Sequence, residues 1–194
     1  MIKNFMRTGL MIAAFGMVLS LSIPSANANV MFFRADLSRD NVLGSMPGES
    51  DATGLALLKV NTITGLFDLS LDIVGIDLAD STFAGFPFGF GEGNLGPIHI
   101  HLAPRTANGG IVLPFPDEAF YSETTDGYSL DVSGGTFDLT LLPALLNQGL
   151  YFNVHTQDFA GGEIRGQIVS EPGMLALFGA GLLGLALIRR RRLS

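Results

Sequence analysis

Cysteine and tryptophan are absent from the 194 residues, and charge is scarce. Only 15% of the chain is Asp, Glu, Lys or Arg, where a soluble domain carries about a quarter. Without Cys there is no disulfide, thiolate metal site, iron–sulfur cluster or cysteine nucleophile. Basic residues are rarest in the body of the chain. Between positions 29 and 171 there are five (Arg34, Arg39, Lys59, Arg105 and Arg165) against all 18 carboxylates, a formal charge of −13. So acidic a segment cannot neutralise phosphates, which excludes nucleic acid as a partner. Histidine occurs only three times. Aliphatic and aromatic residues are plentiful, so the composition is not that of a disordered chain. The length suits one domain with processed ends.

The basic residues missing from the body sit at the two ends. Residues 1–28 read as a secretory signal peptide: Lys3 and Arg7, an apolar run Gly9–Leu21, the breaker Pro24, and the small-residue site Ala26-Asn27-Ala28. Cleavage by signal peptidase is expected after Ala28, because the apolar run is short for a retained span. At the other end, Ser170-Glu171-Pro172-Gly173 precedes Met174–Ile188, 15 residues without a charge, and then Arg189, Arg190, Arg191 and Arg192. A span needs about 20 apolar residues, so this transmembrane helix relies on arginine snorkelling. The arginines place its end in the cytoplasm and the body outside the inner membrane. This tail, residues 170–194, resembles a PEP-CTERM sorting signal. The resemblance implies a Gram-negative-type bacterium and an exosortase-type enzyme that cuts near Glu171-Pro172. It also implies transient anchoring in the inner membrane, then delivery to the cell surface or outside. An ordinary C-terminal membrane anchor is the alternative.

Period-2 alternation dominates the body. In Leu66–Val74, Phe67, Leu69, Leu71 and Ile73 share one face and Asp68, Ser70 and Asp72 the other. Strands are expected near 30–37, 53–61, 64–75, 96–102, 109–113, 128–140, 149–156 and 163–169. Asn61–Gly65 reads as a hairpin loop. One short helix fits Leu141–Gln148, with Pro143 in its first turn and Gly149 as its stop. The expected fold is therefore all-β: a two-sheet antiparallel β-sandwich of about eight strands with one short helix, flanked by the signal helix and the transmembrane helix. Phe83–Asn94 reads as a Gly/Phe-rich loop, either an exposed aromatic patch for sugars or a segment folded back onto the sandwich. Pro114–Gly127 reads as an acidic loop.

His99-Ile100-His101 carries the most chemistry. On a strand, residues two apart share a face at about 7 Å between Cα atoms, so His99 and His101 point together, opposite Ile98 and Ile100. His155 likewise lies opposite Phe152 and Val154. In Glu163-Ile164-Arg165-Gly166-Gln167 the polar residues alternate the same way. If these strands are neighbours, His99, His101, His155, Glu163 and Arg165 converge on one sheet face. Three imidazoles and a carboxylate would suit Zn or Cu; the alternative is a metal-free polar network that holds strand register. Gly161-Gly162 permits a tight turn, and Asn153 can bond backbone at a strand end. Other motifs fail. Gly91–Gly96 matches G-x-G-x-x-G but precedes a strand, not a helix. Asp68, Asp72, Asp77 and Asp80 lack the calcium-loop pattern. There is no G-x-S-x-G or H-E-x-x-H.

Several segments together resemble the CHRD domain, a module named from chordin and common in exported bacterial proteins. They are Asp51–Ala56, Gly96–His101, Asn108–Val112, Leu150–Thr156 and Gly161–Ile168. The resemblance spans about residues 29–169 and is most specific at Asn153, Gly161, Gly162, Glu163, Arg165 and Gln167. It implies a β-sandwich without established enzymatic activity or cofactor. The leading expectation is a non-enzymatic cell-surface or matrix protein with a structural or adhesive role. A metal binder using His99, His101, His155 and Glu163 is one alternative, and a module that holds exopolysaccharide or surface proteins is another.

Overall fold

The computed structural model describes residues 29–45, 50–76 and 94–171. The signal peptide with Ala28, the Phe-rich segment 83–93, Asp77, Asp80, and the tail with Pro172 and Arg189 to Arg192 lie outside the described residues. The described chain is all-β, with one short helix. Its strands are β1 (Val30–Ser38), β2 (Thr53–Asn61), β3 (Leu66–Val74), β4 (Ile98–Leu102), β5 (Gly110–Pro114), β6 (Tyr121–Thr124), β7 (Gly127–Thr136), β8 (Leu150–Val154), β9 (Ile164–Gln167) and β10 (Val169–Ser170). Among the described residues no helix is long and apolar enough to cross a membrane.

The strands are antiparallel and join in one hydrogen-bonded path, β5-β4-β8-β9-β1-β2-β3-β7-β6, with β10 also on β1. The expected division into two separate sheets is thus not what the hydrogen bonds draw. The reason lies in β1. One of its edges pairs with β2 along the whole strand, from Val30↔Asn61 to Ser38↔Thr53. Its other edge is shared: Ser38 faces Arg165 of β9, while Phe33 and Arg34 face Ser170 and Val169 of β10. The sheet curls about this junction. Phe33, Leu58, Leu71 and Leu130 from one half and Ile98, Ile100, Phe152 and Ile164 from the other form one buried core. Each such side chain contributes about 1.5–3 kcal/mol by leaving water.

Local chemistry sets the connections. Between β2 and β3, the Gly65 amide donates to the Asn61 carbonyl at 2.8 Å, and Asn61 Oδ1 accepts from the Ile63 and Thr64 amides. That Asx-type turn closes the expected hairpin. The acidic segment 114–127 is not all loop, because Tyr121–Thr124 forms β6 and pairs with β7 across Thr125-Asp126. The helix is shorter than its pattern, Leu142–Leu146. A 3₁₀ turn, Leu139–Leu141, precedes it, with the Asp138 carboxylate accepting from the Thr140 amide at 2.8 Å. Gln148 turns left-handed (φ 56°), and the Gly149 amide closes the helix on Ala144.

Strands β4, β8 and β9 differ from the rest in being buried on both faces. One face is the apolar core. The other is polar and lies under two connections, Ala103–Gly109 after β4 and Thr156–Gly162 after β8.

Candidate metal centre

The register of these three strands builds the polar face. His99 pairs with Asn153, and Asn153 with Arg165; His101 pairs with Tyr151, and Tyr151 with Gln167. His155 follows β8, its amide bonded to the Pro97 carbonyl at 2.8 Å. Alternation sends Ile98, Ile100, Phe152, Val154 and Ile164 into the core and all three histidines to the opposite side. Their rings meet there, with centroids 5.6 Å apart for His99–His101, 4.9 Å for His99–His155 and 6.0 Å for His101–His155. One ring nitrogen from each lies within 4.8 Å of the other two. A metal bound by three imidazoles at 2.0–2.1 Å holds its nitrogens about 3.4 Å apart, so small side-chain rotations would close the set. The site is shut from solvent, with His99, His101 and His155 only 0%, 7% and 4% exposed.

Hydrogen bonds fix the tautomers of two rings. A carbonyl oxygen only accepts, so Nδ1 of His101 donates to Gly109 O at 2.9 Å and Nδ1 of His155 donates to Ala160 O at 2.8 Å. Both rings then hold their lone pair on Nε2. Nδ1–H on a backbone carbonyl is the arrangement that orients metal-ligating histidines. Asn153 Nδ2 donates to Nε2 of His155 at 3.1 Å. Nε2 of His101 is buried with no hydrogen-bond partner among the described residues, a condition that costs a metal-free protein about 1–3 kcal/mol. Burial, reinforced by the charges of His155 and His101, pushes His99 down to about 3. Burial also pushes His155 down to about 4, against the opposing Ala160 hydrogen bond, and lowers His101. The cluster is neutral at pH 7, the state in which imidazole binds metal.

These strands and turns lie inside a longer match. The CHRD domain family matches residues 33–168. The chain belongs to the CHRD domain family. The PEP-CTERM protein-sorting motif follows at residues 169–192. That motif implies processing by an exosortase-type enzyme, and with the CHRD domain it indicates an exported, sorted surface protein with a membrane-anchored intermediate. No curated protein and no solved structure matches the chain.

The rest of the CHRD domain's polar face encloses the histidines. The Glu163 amide donates to the Val154 carbonyl at 2.7 Å, next in the chain to His155, but the Glu163 carboxylate is engaged elsewhere. Its two oxygens accept from Ser50 Oγ and Thr156 Oγ1, each at 2.6 Å, and it is not in the metal-ligand group. Nor does Arg165 pair with Glu163. Arg165 donates to Asn108 Oδ1 and to the Pro104 and Ala107 carbonyls at 3.0–3.1 Å, with its guanidinium 3.6 Å from the Tyr151 ring centre. Burial lowers its pKa. Tyr151 in turn stacks on His101 at 4.9 Å, and its hydroxyl accepts from the Gly109 amide. Gln167 spans three carbonyls, those of Ala103, Gln148 and Leu150.

The Gly161-Gly162 turn is a packing requirement. Gly162 has φ +116°, and a Cβ there would strike the Asn153 amide. Only glycine lets Asn153 lie against the turn and reach His155. The i, i+2 spacing puts His99, His101, His155, Glu163 and Arg165 on this face and leaves Asn153 as a strand-end residue that bonds backbone. Sequence reading missed Tyr151 and Gly109, which hold His101. The signal for Tyr151 was present in its i, i+2 relation to Asn153.

Proposed function

We propose that this chain is an exported, surface-displayed, non-enzymatic module that binds one first-row transition metal, Zn or Cu, through His99, His101 and His155. The observation that carries this is the convergence of three buried, neutral imidazoles, with one ring nitrogen from each within 4.8 Å of the others. The carbonyl-anchored Nδ1 of His101 supports it, because that ring holds an Nε2 lone pair with no hydrogen-bond partner among the described residues; at His155 the metal would take the place of the Asn153 amide on Nε2. A closed site of this kind binds and retains a metal rather than offering it to substrate.

The test is metal content of the purified full chain, without a histidine tag, after loading with Zn or Cu, beside a His99→Ala/His101→Ala variant. Near one metal per chain, lost in the variant, is the expected result. A metal-free wild type would overturn the proposal and leave the histidines as sheet architecture.

A structural or adhesive role at the surface is a second reading. It draws on Phe32, Leu55 and Leu57, which stand 57%, 38% and 48% exposed on the outer face of β1 and β2. Replacing all three with Ser and measuring retention on whole cells or on the polysaccharide layer tests it. Unchanged retention would count against it.

A further inference from the structure

The choice of metal is legible in the charges around the site. Every ligand is a neutral imidazole, and no carboxylate among the described residues joins them. Glu163 commits both oxygens to the Ser50 and Thr156 hydroxyls. On the other side stands a buried cation. Arg165 is 2% exposed, rests on neutral oxygens and the Tyr151 ring, and pairs with no carboxylate among the described residues. Tyr151 is the plate between that guanidinium and His101. With only that ring between them, the charge of Arg165 opposes positive charge at His101.

A bound cation feels the same opposition. The cost of burying an ion rises with the square of its charge, and three neutral ligands do nothing to reduce a charge of +2. A divalent ion in a closed site needs an anionic ligand or a water that can give up a proton. The three histidines supply neither, and they are all but sealed from solvent. A monovalent ion with three nitrogen ligands needs neither.

We propose that the His99–His101–His155 centre selects monovalent copper over divalent zinc, and holds it three-coordinate and shielded from water. This rests on the metal-binding reading above and goes further by naming the ion. Imidazole suits both copper and zinc, so ligand type alone does not separate them. Charge does, because no carboxylate among the described residues joins the three rings. The protein would act outside the inner membrane as a holder of Cu(I).

The test uses the wild-type full chain, so no variant has to fold. Under anaerobic conditions with ascorbate, Cu(I) is titrated against a colorimetric Cu(I) chelator of known affinity. Zn(II) is titrated separately against a zinc chelator at the same pH. The expected result is one Cu(I) per chain, bound at least tenfold more tightly than Zn(II). Zn(II) binding equal to or tighter than Cu(I), or any preference under tenfold, overturns the choice of ion and leaves the metal site standing. Binding of neither ion overturns the site itself.

Discussion

Acidifying the metal-free protein from pH 7 to pH 5 tests whether the three histidines are held neutral by burial. In the unfolded chain a histidine takes up its proton near pH 6.5. In the fold, His99 resists down to about 3 and His155 down to about 4, chiefly because burial disfavours the charged ring. Between those limits the unfolded state binds more protons than the folded one. Their contribution is therefore complete above about pH 6.5 and is lost progressively as pH falls towards the folded values. From pH 7 to pH 5 each of the two rings withdraws about 2 kcal/mol, about 4 kcal/mol together. His101 adds in the same direction. For a domain of this size that corresponds to a fall of about 10 °C or more in Tm. Asp68 and Asp138 contribute little in this window. Lys59 holds Asp68 and the Thr140 amide holds Asp138 below the ordinary carboxylate range, so they lose their partners only at lower pH. The assay is urea unfolding at pH 7, 6 and 5 with a chelator present. Stability constant to within about 1 kcal/mol over that range would refute the claim that these rings are buried and neutral.

Four further predictions follow from particular contacts. Gly162→Ala forces a side chain into the Asn153 amide at φ +116° and should cost about 2 kcal/mol or more in denaturant melts; a loss under about 0.5 kcal/mol would contradict the packing account. Tyr151→Phe removes one hydrogen bond, to the Gly109 amide, but keeps the ring between Arg165 and His101; it should cost about 1 kcal/mol by the same assay and leave metal stoichiometry unchanged. Phe152→Ala, at a fully buried core position, should cost about 3–5 kcal/mol, and a loss under 1 kcal/mol would place that ring outside a packed core. Arg165→Gln keeps a hydrogen-bonding head but removes the charge; it should narrow the preference for Cu(I) over Zn(II) in the competition assay, and an unchanged ratio would detach Arg165 from ion selection.

The fold class was legible because one physical signal repeats along the chain. Phe67, Leu69, Leu71 and Ile73 alternate with polar residues, and they line the core face of β3. The joining of all strands into one path was not legible. It depends on β9 and β10 sharing one edge of β1, a long-range pairing that no local pattern encodes. Strand β6 was hidden by Glu123 and Ser122, because an edge strand with exposed side chains lacks the apolar alternation. At the site, i, i+2 spacing told which residues share a face, but only the β4–β8–β9 register brought His155 beside His99. The direction of Glu163 depended on Ser50, more than a hundred residues earlier, and sequence spacing carries no trace of that partner.

The most direct test of the central claim is X-ray absorption at the metal edge of the copper-loaded full chain under reducing conditions. The account predicts a shell of three nitrogens near 2.0 Å, with the outer-shell scattering of imidazole rings. A first shell dominated by carboxylate or water oxygen would contradict it, because the metal would then be bound elsewhere than at His99, His101 and His155.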